Sequence, residues 1–177
     1  MVENDGLLRE SEQRFRGAMR AASIGMCLVG PDGSFLEVNP ALCALLGRDE
    51  ADLIVTTWQE LTHPDDLETD VSLVQEVLNG ERESYQLLKR YLRPDGEIVW
   101  GDLSVSCVRT PDGDVQYFVS QINDVTRRIT AEQELAKAEE KFRLVAENAA
   151  SFVLLIGADD EITWVSPSAV RLSGYSS

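Results

Sequence analysis

The sequence predicts an α+β fold in which a five-stranded antiparallel sheet carries short helices on one face and is flanked by amphipathic helices. The first observation is the order of the patterns: two short strands, several short helices and then three long strands within about 100 residues. The second is a repeat, because residues 142–170 align without a gap with residues 15–43. A repeat of this length indicates a second domain, since solenoid units recur every 20 to 50 residues or so.

These patterns predict four parts of the chain. They are an amino-terminal helix over residues 1–22, a complete domain over 23–125, a linker helix over 126–148 and the truncated start of a second domain over 149–177. The second copy lacks the later strands that would cover its first hairpin. The segment after about residue 150 is therefore expected to be disordered or to add to a neighbour's sheet.

The complete domain is expected to begin with strands at about 25–29 and 34–38, joined through an Asp-Gly pair that is a strong hairpin signal. Asn39 suits the N-cap of the next helix, and Pro40 suits its first position. Gly47 can take the left-handed conformation that closes this helix.

A longer helix is expected to begin at Pro64, because proline disfavours the helical conformation of the residue before it. Asp65 and Asp66 then lie at the positive end of the helix dipole. The apolar positions predict a buried face made by Leu67, Val71, Val74 and Leu78.

Three long strands are expected over about 83–92, 97–108 and 114–125, and each of the two turns between them contains Pro-Asp-Gly. Polar and apolar residues alternate in the middle strand, so one of its faces meets the core. Trp100 has the opposite parity from Leu103, which predicts that its ring projects from the outer face of the sheet. The flanking helices are the candidates to cover it.

Both flanking helices carry a narrow apolar stripe with the alternating three and four spacing of a coiled coil. The stripe consists of Leu8, Phe15, Ala18, Leu135, Ala138, Phe142 and Val145. Two interpretations stay open: the stripes pair two copies of the chain as a homodimer, or each stripe docks on its own domain. Two to three heptads do not decide between them.

The net charge of −15 and the sequence pI near 4.4 disfavour nucleic acid and anionic membrane surfaces as direct partners. No apolar stretch approaches the roughly 18 to 20 residues of a spanning helix, and the amino terminus lacks a secretion signal. Cys27, Cys43 and Cys107 are odd in number and widely spaced, which suits a reducing cytosol. The chain is therefore expected to be cytoplasmic, without direct membrane contact.

Four motifs, in this order, carry a resemblance to a known family: "GMCLVGPDGSFLEVNPALCALLG", "HPDDL", "RPDGEIVW" and "NDVT". They resemble the PAS sensory domains with their carboxy-terminal PAC segment, over about residues 15–128, and the second copy starts near residue 142. The resemblance implies a PAS-like fold. Tandem PAS copies joined by helices resemble the input regions of bacterial histidine kinases and of cyclic-di-GMP enzymes with GGDEF and EAL output domains.

The resemblance also implies which cofactors to look for, because PAS folds can hold flavin, haem or small metabolites. The light-sensing flavin subclass has a cysteine in the short helix around residues 58–61 and a glutamine two residues before the final aspartate. Here no cysteine lies between Cys43 and Cys107, and Ile122 replaces the glutamine. His63 is the only imidazole and is expected to cap a helix rather than bind haem. No cofactor and no catalytic site are predicted.

Helices over a curved sheet tend to leave an apolar cavity, so a small-molecule ligand of unknown identity is possible in the core. The alternative is that the same side chains fill the core by packing against one another. The expected lining consists of Met26, Leu28, Leu46, Trp58, Leu67, Val71, Leu103, Val105 and Phe118.

The motif "NDVT" resembles the Asp-x-Thr signature that closes PAS domains. Asp124 and Thr126 are both expected to cap the linker helix and so to fix the angle at which it leaves the sheet. Together with Trp100 they are the candidate residues for signal relay.

The resulting hypothesis is a sensory and dimerisation input module of a larger bacterial signalling protein. It would bind an unidentified small ligand or partner and relay through the linker helix to an output domain in the same chain, with GGDEF/EAL favoured by resemblance. The alternative is a ligand-free protein-interaction module of a sensor histidine kinase. A third possibility, a cofactor-bearing photoreceptor or redox sensor, predicts visible absorbance.

Overall fold

The structure is a computed structural model that describes residues 2–148 and 154–165. The five strands of its main sheet are formed by segments in which apolar and polar residues alternate. The chain divides into two units, residues 1–127 and 128–177. In the first unit the strands are Gly25–Val29 (β1), Phe35–Val38 (β2), Ser84–Leu92 (β3), Ile98–Arg109 (β4) and Val115–Asp124 (β5). All neighbours pair antiparallel in the order β2-β1-β5-β4-β3, which confirms the predicted fold class.

Four helices of the first unit connect β2 to β3. They are Pro40–Leu46 (α2), Glu50–Ile54 (α3), Trp58–Leu61 (α4) and Pro64–Leu78 (α5). The flanking helices are Val2–Ala21 (α1) and Thr126–Asn148 (α6). The core lies between the sheet and the connecting helices, where leucines of α2, α3 and α4 are buried beside inward residues of every strand. Within the described residues, no helix has the length and apolarity to cross a bilayer.

Asn39 caps α2 as the sequence predicts, but its side chain does more than cap. Its Oδ1 accepts hydrogen bonds from the backbone N–H of Leu42 at 2.9 Å and of Met26 at 2.9 Å. Its Nδ2 donates to the carbonyl oxygens of Met19 at 3.0 Å and Ile24 at 2.9 Å. The side chain is fully buried, so these hydrogen bonds are the ones that satisfy it. Through them a single amide group joins the end of α1, the start of β1 and the start of α2.

In the second unit, Leu154–Ile156 (β6) and Ile162–Val165 (β7) pair as an antiparallel hairpin of their own. For these residues the structure shows a hairpin in place of the expected disorder, whereas addition of its edge to a neighbour's sheet stays a prediction. The hairpin needs only a local turn, and the ring of Trp164 adds a contact with Phe142, at 5.7 Å between ring centroids. The other predicted residues of this copy, 149–153 and 166–177, lie outside the described residues.

The turn of this hairpin repeats the turn between β1 and β2. The N–H of Gly30 donates to the carbonyl of Ser34 at 2.8 Å, and the N–H of Gly157 donates to that of Glu161 at 2.7 Å. Gly33 in the first turn and Asp160 in the second both take a positive φ, of 91° and 60°. The hairpin therefore repeats in three dimensions as well as in sequence.

Candidate functional site

A cavity of about 40 Å³ lies in the core of the first unit, between the sheet and the connecting helices. Its wall is largely apolar and includes a few polar groups, among them Asp70, Lys89 and Ser120. A water molecule needs roughly 10 to 15 Å³ of such space, so the cavity has room for about three or four waters. The core in this conformation is filled mainly by its own side chains.

The structure brings five of the nine predicted lining residues to this cavity: Leu46, Trp58, Leu103, Val105 and Phe118. Met26 and Leu28 are not on its wall, because β1 alternates and its inward residues are Cys27 and Val29. That these residues contact a ligand stays a prediction.

Leu67 and Val71 of α5 also lie off the cavity wall, and Val71 is exposed. The buried positions of α5 are Asp70 and Val77, and Val74 lines the cavity. The predicted face differs from the real one because it was drawn from apolar residues alone, whereas the structure buries Asp70 in the core.

Asp70 forms a buried ion pair with Lys89 of β3, with 2.5 Å between Oδ2 and Nζ. The two side chains are 1% and 2% exposed. The Lys89 ammonium also donates to Oγ1 of Thr62 at 2.9 Å, and the hydroxyl of Tyr85 donates to Asp70 Oδ1 at 2.8 Å. Four polar side chains, from α5, β3 and the residue that connects α4 to α5, thus satisfy one another inside the core.

Burial shifts the pKa of Lys89, of Tyr85 and of Cys27, which lines the same cavity. It lowers the pKa of Lys89, while the charge of Asp70 and the hydrogen bond to it act in the opposite direction. Burial, followed by the negative charge of Asp70, raises the pKa of Tyr85 far above its ordinary value. Burial also raises the pKa of Cys27 to about 12, so this thiol is a core side chain and not a nucleophile at neutral pH.

Asp70, Tyr85 and Lys89 are not among the site residues that the sequence predicts. A signal was present for the two β3 residues, because Tyr85, Lys89 and Tyr91 share one parity, which places the lysine on the same face of the strand as two aromatic residues. No local signal identifies Asp70 as their partner, since it belongs to a different element.

A second cluster lies where α5 meets β3, the edge strand of the sheet. Asp66 accepts from the backbone N–H of Arg90 at 2.8 Å and from its guanidinium at 2.7 and 3.0 Å. Asp65 adds a pairing with Arg90 at 3.3 Å. The hydrogen bond from the Arg90 side chain is the main cause that lowers the pKa of Asp66. His63 caps α5, as expected, by accepting from Asp65 N at 3.3 Å.

Trp100 lies directly opposite Arg90 on the neighbouring strand and projects away from the core, as predicted. The flanking helices were the expected cover, but the Arg90 guanidinium lies over the indole ring, at 5.5 Å from its centroid. This contact joins the Asp66–Arg90 cluster to β4.

The backbone of Trp100 also holds the start of α6. Its N–H donates to Thr126 Oγ1 at 2.9 Å, and its carbonyl accepts from Val125 N at 3.0 Å. Asp124 caps α6 by accepting from Thr126 N at 2.9 Å. The predicted capping role of Thr126 needs correction, because its hydroxyl accepts from the sheet. Thr126 is already the first residue of α6, so its side chain is free to reach β4.

The described stripe residues of the flanking helices are exposed within the single chain. They are Phe15 and Ala18 on α1, and Leu135, Ala138, Phe142 and Val145 on α6. The side chain of Leu8 lies outside the described part of the structure.

Comparison with known proteins gives two family matches. Residues 35–122 match a family described as PAS fold, and residues 140–177 match one described as PAS domain. The second match starts close to residue 142, where the sequence begins its repeat.

Two relatives from multidomain proteins match most of the chain. Over 140 residues, 79% of its length, the chain is 41% identical to a protein of Escherichia coli K12 named probable diguanylate cyclase DgcE. Over 142 residues, 80% of its length, it is 24% identical to the sensor histidine kinase TmoS of Ectopseudomonas mendocina. The chain spans only 13% and 15% of these two proteins.

Among solved structures, the crystal structure of a PAS domain from Colwellia psychrerythraea matches with a TM-score of 0.60. The match covers 65% of this chain and 97% of that one, at 17% sequence identity. An identity this low shows a shared fold and nothing finer.

Proposed function

This chain belongs to the PAS family of sensory domains, and we propose that it is the input module of a protein whose output is cyclic-di-GMP synthesis. The PAS domain itself is non-catalytic, so the activity resides in a separate domain. The 41% identity to a diguanylate cyclase supports this output over others. The three cysteines are unpaired, which supports our placing the module in the cytoplasm.

We propose that the signal reaches α6 through the contacts between α5, β3 and β4. Asp66 and Asp70, one turn apart on α5, hold the adjacent β3 residues Arg90 and Lys89. A displacement of α5 would therefore move this part of β3. Arg90 lies over Trp100, whose backbone binds the first residues of α6. Such a route needs two arrangements of these contacts with similar energy.

The test replaces the aligned 140-residue segment of the E. coli relative with the matching part of this chain and measures cyclic-di-GMP production by the purified chimera. We expect an active chimera. Thr126→Val should lower its output by about fivefold, the factor that corresponds to one hydrogen bond of roughly 1 kcal/mol. The reason is that α6 loses the bond that fixes its start to Trp100.

Thr56→Val is the matched control, because it removes an exposed hydroxyl that bonds only to the Asp52 carbonyl of α3. It should leave the output unchanged. An inactive chimera would contradict the proposed output, whereas equal outputs from the Thr126 and Thr56 variants would contradict only the proposed route.

We further propose that the exposed stripes of α1 and α6 mediate self-association. Phe15 is 45% exposed and Leu135 is 61% exposed in the single chain, so both side chains present apolar surface to solvent. Phe15→Asp and Leu135→Asp are each expected to shift the sedimentation profile toward monomer, because a carboxylate would enter an apolar seam.

Gln13→Asp and Gln133→Asp are the controls, since each adds the same charge two positions away from the stripe. Both controls should sediment like the wild type. A profile unchanged by the Phe15 and Leu135 substitutions would show that the stripes do not pair two copies.

The second candidate function is the input region of a sensor histidine kinase, which the likeness to TmoS supports. The chimera separates the two candidates. A chimera that folds but makes no cyclic-di-GMP, while a matching chimera built on the kinase autophosphorylates, would favour the kinase.

A further inference from the structure

The ammonium group of Lys89 is enclosed on several sides by groups that recognise a primary ammonium ion. Asp70 Oδ2 lies 2.5 Å and Thr62 Oγ1 lies 2.9 Å from Nζ. The ring centroids of Tyr91 and Trp58 lie 4.5 and 5.1 Å from the same atom. Both ring distances fall within the roughly 6 Å range of cation–π attraction.

Each side chain that supplies an oxygen acceptor is also held by a second hydrogen bond that does not involve Lys89. The Thr62 hydroxyl donates its hydrogen to the carbonyl oxygen of Trp58, at 2.8 Å, so toward Lys89 it can act only as an acceptor. Asp70 Oδ1 is fixed by Tyr85, which leaves Oδ2 for the ammonium. Thr62 and Asp70 are buried as deeply as Lys89 itself. The receptor therefore consists of residues outside the lysine that fills it.

We propose that the core of this domain contains a binding site for a primary ammonium ion, and that its native occupant is the side chain of the chain's own Lys89. The domain is thus self-liganded. While Lys89 is in place, a diffusible cation is excluded from the site. A chain without the Lys89 side chain has a vacant site that accepts a small unbranched primary alkylammonium ion. This inference depends on the first unit alone and not on the proposed output.

The size of the ligand follows from the substitution. Lys89→Ala removes three methylene carbons and the ammonium, which together are the atoms of propylammonium. The cavity of about 40 Å³ beside Lys89 adds room for the extra hydrogen atoms at the cut end. The apolar wall of the cavity matches the propyl chain, and the Asp70 carboxylate matches its charge.

The experiment measures the melting temperature of the 177-residue chain in propylammonium chloride, against sodium chloride at equal ionic strength. Lys89→Ala is expected to melt below the wild type, and propylammonium is expected to raise its Tm by several degrees in a saturable way. The wild type should not respond, because its site is full. Asp70→Asn combined with Lys89→Ala should respond much less, since the counter-charge is gone.

Two further ligands define the chemistry. Propanol has the chain without the charge, and tetramethylammonium has the charge without donor hydrogens, so neither should restore the Tm of Lys89→Ala. Equal responses to propylammonium in the wild type, the single variant and the double variant would overturn the proposal. So would the absence of any response in a folded Lys89→Ala protein.

A measurement on the wild type covers the case in which Lys89→Ala does not fold. In nitrogen-15-labelled protein the Lys89 ammonium should give a slowly exchanging signal, with proton shifts moved upfield by Trp58 and Tyr91. Lys89→Arg should remove that signal. Lysine ammonium signals that all exchange rapidly, as in free lysine, would mean that no closed ammonium site exists.

Discussion

Replacing Asp70 with leucine is expected to lower the free energy of unfolding by about 3–5 kcal/mol near neutral pH, as measured by urea denaturation. The substitution leaves the Lys89 ammonium, 2% exposed, without its counter-charge. It also leaves the buried Tyr85 hydroxyl without its acceptor. The penalty comes from stranding these groups in the core, because the intact pair offsets its own desolvation.

This destabilisation should shrink as the pH rises from about 7 to about 9. Burial lowers the pKa of Lys89, and the opposing effect of Asp70 is absent from the variant, so the pKa falls further. The unfolded chain, with an ordinary lysine pKa near 10.4, then binds more protons than the folded chain, and stability rises with pH across that window. A deficit that stays constant over this range would contradict a stranded ammonium.

An apolar triple variant, Asp70→Leu with Tyr85→Phe and Lys89→Met, is the matched control. It removes both stranded groups while keeping similar volumes, so it should recover to within about 2 kcal/mol of the wild type. A triple variant as unstable as Asp70→Leu alone would show that lost packing, and not lost pairing, causes the effect.

Asn39→Ala is expected to lower the free energy of unfolding by about 3–4 kcal/mol in the same measurement. The substitution removes the cap of α2, and it leaves the buried carbonyl of Met19 and the partly buried backbone groups of Met26 and Ile24 without the partners that the side chain supplies. Each stranded group carries its own desolvation cost, so the loss exceeds that of an ordinary cap.

Asp49→Ala supplies the comparison, because Asp49 is the exposed cap of α3 and bonds only to Asp52 N, at 2.8 Å. Its loss should cost about 1 kcal/mol. The difference between the two variants measures what Asn39 contributes by joining α1, β1 and α2. Equal losses would mean that Asn39 acts as a cap alone.

Much of the fold follows from local sequence. The Asp-Gly turn, the cap at Asn39 and the start of α5 at Pro64 are where the sequence places them. Alternation in β4 correctly puts Trp100 on the outer face. These features depend on turn chemistry, on capping and on periodicity, each of which involves residues only a few positions apart.

The candidate site was predicted less well, and the reason lies in two inward-facing charged residues. A lysine at an inward position of β3 and an aspartate on α5 each suggest a solvent-exposed residue when taken alone. Lys89 and Asp70 are 19 residues apart, and burial becomes tolerable only when they meet. For the same reason the sequence predicts Val71 on the buried face of α5, whereas the structure buries Asp70 there and exposes Val71.

By itself the sequence determined the order of the elements, their turns, the repeat and the α+β class. Only the tertiary structure decided which polar groups share the core, and that Thr126 bonds to the sheet and Arg90 covers Trp100. Local conformation is set by neighbours along the chain. The cost of burying a charge is set by whichever partner the packed elements bring within reach.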